Sequence, residues 1–294
     1  MTAHRVPTGQ GELRLEVGGA SHTGMVRAVN EDALLAEPPV FAVADGMGGH
    51  SFGDRASATA VLALHDELDP GRPARPDRVF AAIRKANAAV RELRTAAPDG
   101  TQLIAGTTLA GVAVVVDHPG ADPGWMVFNL GDSRVYRWDA AVGLHRISVD
   151  HSLVQELMDA GLIDEDGARR HPDRNVITRA LGAADEVRAE AWLLPATEPQ
   201  TFLICSDGLT KELDDARIAE LLEPLQPGES TDAAVDRLLA AALAAGGADN
   251  ISVLLVRAEY APADPRSPSD VDEQTREKGP LALSRELDDT RPRV

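Results

Sequence analysis

The sequence predicts an α+β fold, and three observations predict it. Short β-branched or apolar runs bounded by Gly, Asp or Pro mark strands, and apolar residues at three- and four-residue spacing mark helices. The two kinds do not alternate regularly along the chain, which argues against a doubly wound parallel sheet.

Taken in order, strands are expected at Leu13–Gly18, Val40–Ala44, Thr107–Val116, Trp125–Leu130, Val135–Trp138, Val187–Leu193, Phe202–Cys205 and Ile251–Arg257. Helices are expected at Asp54–Leu68, Pro76–Arg94, Leu153–Ala160, Asp215–Leu222 and Thr231–Ala245. In the last of these Val235, Leu239 and Ala242 recur at helical spacing, and Gly246–Gly247 stops it. The stretch "PGRPARP" at 70–76 reads as a loop between two helices, and no internal repeat, P-loop or GxGxxG fingerprint occurs. One domain is expected over 10–260, and within it residues 150–182 begin as a helix and turn polar. Residues 261–294 are rich in Pro, Asp, Glu, Arg and Ser and read as a disordered tail.

Composition narrows the possible roles. At 294 residues and 44% hydrophobic content the chain can bury a sizeable core. No apolar run approaches the ~20 residues of a membrane span. The opening "MTAHRVPTGQGELRLE" has no apolar signal region, so a cytoplasmic location is expected, with no membrane partner. Cys205 is the only cysteine, which excludes an intramolecular disulfide; inside "TFLICSDG" it reads as a buried structural thiol. A net charge of −18 argues against nucleic acid as a partner.

The positions of the acids carry more than their number. Asp45 follows "VFAVA" and precedes Gly46; Asp207 follows "TFLICS" and precedes Gly208; Asp249 follows "AAGGA" and precedes "NISVLLV". Asp132 lies in "FNLGDSRVYR" between two strands, and Glu31–Asp32 sits in "RAVNEDALL" ahead of the Val40 strand. Strand ends are where a rigid scaffold aims side chains at one spot. Carboxylates converging there repel one another unless cations neutralise them, and oxygen-only ligation selects hard ions such as Mg2+ or Mn2+. Any one Asp-Gly pair is explained by a turn; two of them, with "GDSR" and "ADNIS", raise a shared metal site as the competing explanation.

Six motifs occur together and in order: "RAVNED" at 27–32, "VADGMGG" at 43–49, "AGTTL" at 105–109, "NLGDSRVYR" at 129–137, "ICSDGL" at 204–209 and "GADNISVLLV" at 247–256. In this the chain resembles the metal-dependent protein phosphatases, the PPM family of the 2C class, in their bacterial form. The resemblance implies a central antiparallel β-sandwich flanked by helices on both faces, in α/β/β/α layers. It implies hydrolysis of phosphoserine and phosphothreonine in proteins by a water activated at a binuclear Mn2+ or Mg2+ centre, with a third ion in bacterial members. On this sequence Asp45 resembles the carboxylate bridging both ions, the Gly46 carbonyl a ligand of the first, and Asp207 and Asp249 ligands of the second. Glu31 resembles a ligand acting through water, Asp32 and Asn250 supporting residues around the ligands, Asp132 the acid of the third ion, and Arg27 the phosphate clamp.

Partners implied by the resemblance are phosphorylated proteins, the products of Ser/Thr kinases, with the chain acting as a monomer. Two other readings stand beside this one: a phosphatase of a small molecule or of a single regulatory protein, and a PPM-like binding module without turnover. Ser206 reads as structural, Thr107 and Thr108 as β-branched strand residues, and Arg134 as half of a structural ion pair. The 150–182 segment corresponds to the family's flap, where Arg169, Arg170, Arg174 and Arg179 could meet acidic partners or simply face solvent, and His151 could cap its helix. Met47 stands where eukaryotic members carry a histidine proton donor; His50, three residues on, would have to curl back to replace it.

Overall fold

The computed structural model describes residues 2–263 except 10, 49–51, 94, 97–101, 104, 119–120 and 226–227. In chain order its strands are β1 (Thr2–Thr8), β2 (Gly11–His22), β3 (Asp32–Glu37), β4 (Val40–Met47), the short β5 (Thr95–Ala96), β6 (Gln102–Leu103) and β7 (Gly106–Thr107), then β8 (Leu109–Val115), β9 (Gly124–Leu130), β10 (Arg134–Asp139), β11 (Gly143–Arg146), β12 (Glu190–Pro195), β13 (Gln200–Cys205) and β14 (Ile251–Pro262). The helices are α1 (Gly53–Glu67), α2 (Pro76–Glu92), α3 (Leu153–Asp159), α4 (Glu165–Arg170), α5 (Asp207–Glu212), α6 (Asp215–Leu222) and α7 (Thr231–Ala245). Residues up to Pro262 form one compact unit. The tail expected at 261–294 lies, from 264 onward, outside the described residues.

Two antiparallel sheets result. One runs β1-β2-β14-β13-β10-β11 and the other β12-β9-β8-β4-β3, with β7 pairing the end of β4. Strand side chains alternate between faces, so each sheet has an inner and an outer row. Leu13, Leu15 and Val17 of β2, Phe202 and Ile204 of β13 and Leu254 and Val256 of β14 meet Phe41 and Val43 of β4, Val112 and Val114 of β8 and Val127 of β9 between the sheets. Trp125 and Phe202 join the two sheets ring to ring, with centroids 5.1 Å apart. The outer row of β4, Val40, Ala42 and Ala44, packs under α1 and α2 through Ala56, Ala60, Leu64, Val79 and Ile83. The outer row of the other sheet, Tyr136, Leu203, Leu255 and Val253 among it, packs under α5, α6 and α7. The architecture is the four-layered α/β/β/α sandwich that the family resemblance implied.

Helix ends follow local chemistry. Ser230 caps α7 by accepting from the Ala233 N–H at 3.2 Å, and Asp214 caps α6 by accepting from the Arg217 N–H at 2.8 Å. The sequence-based bounds of α6 and α7 coincide with those observed. Several elements differ from expectation. β1 lies outside the expected 10–260 boundary and pairs along β2 from Thr2↔Val17 to Thr8↔Gly11. β3, β11, α4 and α5 were not expected at all, nor were the two-residue β5 and β6. Asp207 sits beside the end of β13, as expected, and is also the first residue of α5.

One change of polarity positions the site. Along the inner rows, Phe41 and Val43 are followed by Asp45, Phe202 and Ile204 by Ser206, and Val256 and Leu254 by Ser252. At this end of the sandwich the core stops and a layer of carboxyl and hydroxyl groups begins.

Candidate metal centre

β3 and β4 pair in a register that sets Asp32 directly opposite Asp45. Directly opposed residues on one face have Cβ atoms about 5 Å apart, so two carboxyls are forced together by strand pairing alone. Ser206 donates to Asp32 Oδ2 at 2.8 Å and itself accepts from the Ser252 N–H at 2.9 Å, which ties the carboxyl to the other sheet. Asp207 follows Ser206 and lies within hydrogen-bonding reach of Asp45. Asp45 is held by its own peptide: its N–H donates to Thr108 Oγ1 at 3.0 Å, and its carbonyl accepts from the Thr107 hydroxyl at 2.9 Å and the Thr108 N–H at 2.9 Å. Thr108 Oγ1 also bonds Ser133 Oγ at 2.7 Å, next to Asp132. The two threonines are thus more than strand formers: they fix the Asp45 peptide and connect it to the Asp132 loop.

Two glycines are required by close approach. A Cβ on Gly46 would stand 2.1 Å from the Gly53 carbonyl oxygen and 2.5 Å from that of Glu31. A Cβ on Gly208 would stand 1.9 Å from the Asn250 carbonyl oxygen, so the Asp207 and Asp249 segments press against each other with no room for a side chain. The first residue after each Asp is glycine because backbones meet there, not because a turn is needed.

Asn250 braces the site. Its Nδ2 donates to the Thr23 and Val29 carbonyls, each at 2.9 Å, and its Oδ1 accepts from the Glu31 N–H at 2.9 Å. It therefore clamps the 23–31 loop, which carries Arg27 and Glu31, onto the Asp249 segment. Asn250→Ala removes all three bonds and leaves a part-buried N–H unpaired, so a loss of about 2–3 kcal/mol is expected. A chemical denaturation curve of the metal-free protein measures it.

The electrostatics follow from crowding. Burial, then the charges of Asp207, Asp32 and Asp132, push the Asp45 carboxyl well above the usual range. Burial likewise raises Asp32 to about 6, Asp132 to about 7, and Asp207 and Glu31 above their ordinary values. Burial works against Asp249 as well, but the hydrogen bond and charge of Lys211 outweigh it and hold Asp249 low. Lys211 lies one turn into α5, with Nζ 2.6 Å from Asp207 Oδ2 and 2.9 Å from Asp249 Oδ2. Arg27, half exposed at the lip, places Nη2 2.9 Å from Asp249 Oδ1. Lys211 went unnoticed in the sequence because its i,i+4 relation to Asp207 exists only once α5 is known.

The residues fit a divalent cation. Asp32 Oδ1, Asp132 Oδ1 and Asp207 Oδ1 are buried acceptors without a hydrogen-bond partner, an arrangement costly for carboxylates unless a cation meets them. Among the described residues no three acids are yet drawn into a closed cage. The Lys211 ammonium and Arg27 guanidinium supply the positive charge at Asp249.

Nearby groups have structural duties. Arg134 pairs with Asp150 through Nε at 3.0 Å and Nη2 at 2.7 Å. His151 accepts from the Gly131 N–H at 3.1 Å, while the cap of α3 is Ser152 rather than His151. In the 150–182 segment Arg169 and Arg170 face Glu165 and Asp166 one turn away, and Arg179 bonds Glu190 at 3.0 Å. Cys205 is buried, and burial pushes its thiol up to about 12. His50 lies outside the described residues, and Met47 ends β4. Among the described residues no helix is long and apolar enough to cross a membrane.

The fold and the acid cluster together define a two-sheet sandwich protein with carboxyl groups gathered at one end. Comparison with known proteins gives the family: residues 19–244 match the model described as "Protein phosphatase 2C", and the chain belongs to that family. It is 35% identical to the serine/threonine protein phosphatase PstP of Mycobacterium tuberculosis over 83% of this chain, and spans about half, 45%, of that relative's length. It is 35% identical to the serine/threonine phosphatase stp of Listeria monocytogenes, over 79% of this chain and 92% of that one. A solved structure of the PstP catalytic domain in complex with two manganese ions, 31% identical, superposes with a TM-score of 0.69 over 84% of this chain and 99% of that one.

Proposed function

We propose that this chain is a metal-dependent protein phosphatase that hydrolyses phosphoserine and phosphothreonine in proteins, its catalytic domain spanning about 10–260. The observation that carries the reading is the set of buried carboxylate oxygens without donors, gathered beside an exposed arginine at the mouth of the sandwich. The relative crystallised with two manganese ions supports the same reading. Two Mn2+ or Mg2+ ions, and a third at Asp132, would supply charge neutralisation for phosphate oxygens and would activate water near neutral pH.

Asp45, Asp207 and Asp249 hold the cations, with the Gly46 carbonyl beside them and Glu31 acting through water. Asp32 and Asn250 support them, Asp32 through Ser206 and Asn250 through the 23–31 loop. Arg27 turns its guanidinium from Asp249 to the substrate and holds two phosphate oxygens in parallel, which Lys cannot imitate. Met47 carries no proton to donate, so the leaving alkoxide takes its proton from water. The substrates in this reading are cytoplasmic products of Ser/Thr kinases, and the chain acts as a monomer.

The test is hydrolysis of a phosphothreonine peptide and of p-nitrophenyl phosphate with Mn2+ or with chelator. Turnover of both in Mn2+ alone is expected, and robust turnover in chelator overturns the reading. Arg27→Ala is expected to raise KM about tenfold, more than it alters Mn2+ affinity.

A further inference from the structure

Lys211 is absent from the family motifs noted above, yet it holds the most central position among the acids. α5 starts at Asp207, so residue 211 returns over the same face one turn later. Its ammonium is shared between Asp207 Oδ2 and Asp249 Oδ2. Its side chain is 36% exposed, so an outward path to solvent is open.

A hard divalent ion held by carboxylate oxygens sits about 2.1–2.4 Å from each. The same two Oδ2 atoms cannot take up such an ion while an ammonium lies between them in hydrogen-bond contact. We propose that Lys211 is a tethered competitor for the cation position between Asp207 and Asp249: it fills that position in the metal-free protein, is displaced when a divalent ion enters, and so sets how tightly the ion is held there. The inference rests on the reading of Asp207 and Asp249 as metal ligands. It gives one residue two opposed duties. Lys211 relieves carboxylate repulsion in the metal-free chain, and it costs affinity when metal arrives. The four-carbon stem suits this, because the ammonium can leave without moving α5.

Calorimetric titration of the chelator-treated full chain with Mn2+ tests the proposal. Lys211→Met keeps the stem and removes the charge; Lys211→Gln serves as a second neutral variant. Both are expected to bind Mn2+ about tenfold more tightly at the affected step, and to melt at a lower temperature without metal. Lys211→Arg retains the charge and is expected to keep the weaker, wild-type affinity. Unchanged or weaker Mn2+ binding in both neutral variants overturns the proposal, as does Lys211→Arg binding as tightly as they do. If the wild type takes up no Mn2+ at all, the metal reading itself fails and this inference falls with it; wild-type binding that the variants leave untouched sinks this inference alone.

Discussion

Asp45→Asn is expected to abolish Mn2+-dependent hydrolysis of p-nitrophenyl phosphate and, at the same time, to raise the melting temperature of the metal-free protein. The activity loss follows from position. Asp45 is the carboxyl that faces both Asp32 across the strand pair and Asp207 at the start of α5. In the proposed function Asp45 would be the ligand shared by both ions, so removing its charge is expected to lower kcat by at least two to three orders of magnitude. The stability gain follows from the same crowding. A buried carboxyl surrounded by Asp207, Asp32 and Asp132 is a liability without cations. Asparagine has nearly the same shape and no charge, so a gain of about 1–2 kcal/mol is expected, read as a few degrees in melting temperature. Retained turnover would sink the metal reading. A lower metal-free melting temperature would sink the account of repulsion.

The second large effect is on pH dependence. Burial raises the folded-state values of Asp32 to about 6 and Asp132 to about 7 from an ordinary 3.8, and Asp45 and Asp207 move in the same direction. Between pH 3.8 and about 7 the folded, metal-free chain therefore keeps protons that the unfolded chain has released. The stability from these groups is complete below pH 3.8 and is lost as pH rises through the folded values, Asp32 alone accounting for on the order of 3 kcal/mol. Asp249, held low by Lys211, pulls the other way, but at this site it is one group against five, Glu31 being raised as well. Metal ligands bind in their deprotonated form, so Mn2+ displaces those protons. The rise in melting temperature on adding Mn2+ is expected to be several degrees larger near pH 7.5 than near pH 5.5. Equal shifts at the two pH values would contradict it.

The legibility of this chain in its sequence was uneven for physical reasons. α6 and α7 have polar caps and apolar faces written into consecutive residues, and they were read to the residue. β3 was missed because "DALLAE" is an edge strand with only half-buried side chains, which gives no alternation to detect. With β3 missing, the Asp32–Asp45 pairing was invisible, although both residues had been singled out. α5 was missed because "SDGLTKE" places a glycine in its first turn and reads as a turn. That hid Lys211, whose importance depends wholly on helical spacing. The Thr107 and Thr108 hydroxyls were undervalued because β-branched residues in a strand need no further explanation, and only the folded chain shows what they bond. The ligand candidates were found because each sits in a motif several residues long. Arg27 stood out for the same reason, whereas Lys211 did not, because it falls outside every motif.

The place of β14 bears on how the protein is made. It is the last strand among the described residues, yet it lies inside its sheet between β2 and β13, and the two residues before it are Asp249 and Asn250. During synthesis the first 240 or so residues can emerge from the ribosome with Asp45, Asp132 and Asp207 already in hand. They lack the strand that joins β2 to β13, the fourth carboxylate, and the amide that clamps the arginine loop. In the proposed function a nascent chain therefore lacks part of its site until β14 has inserted.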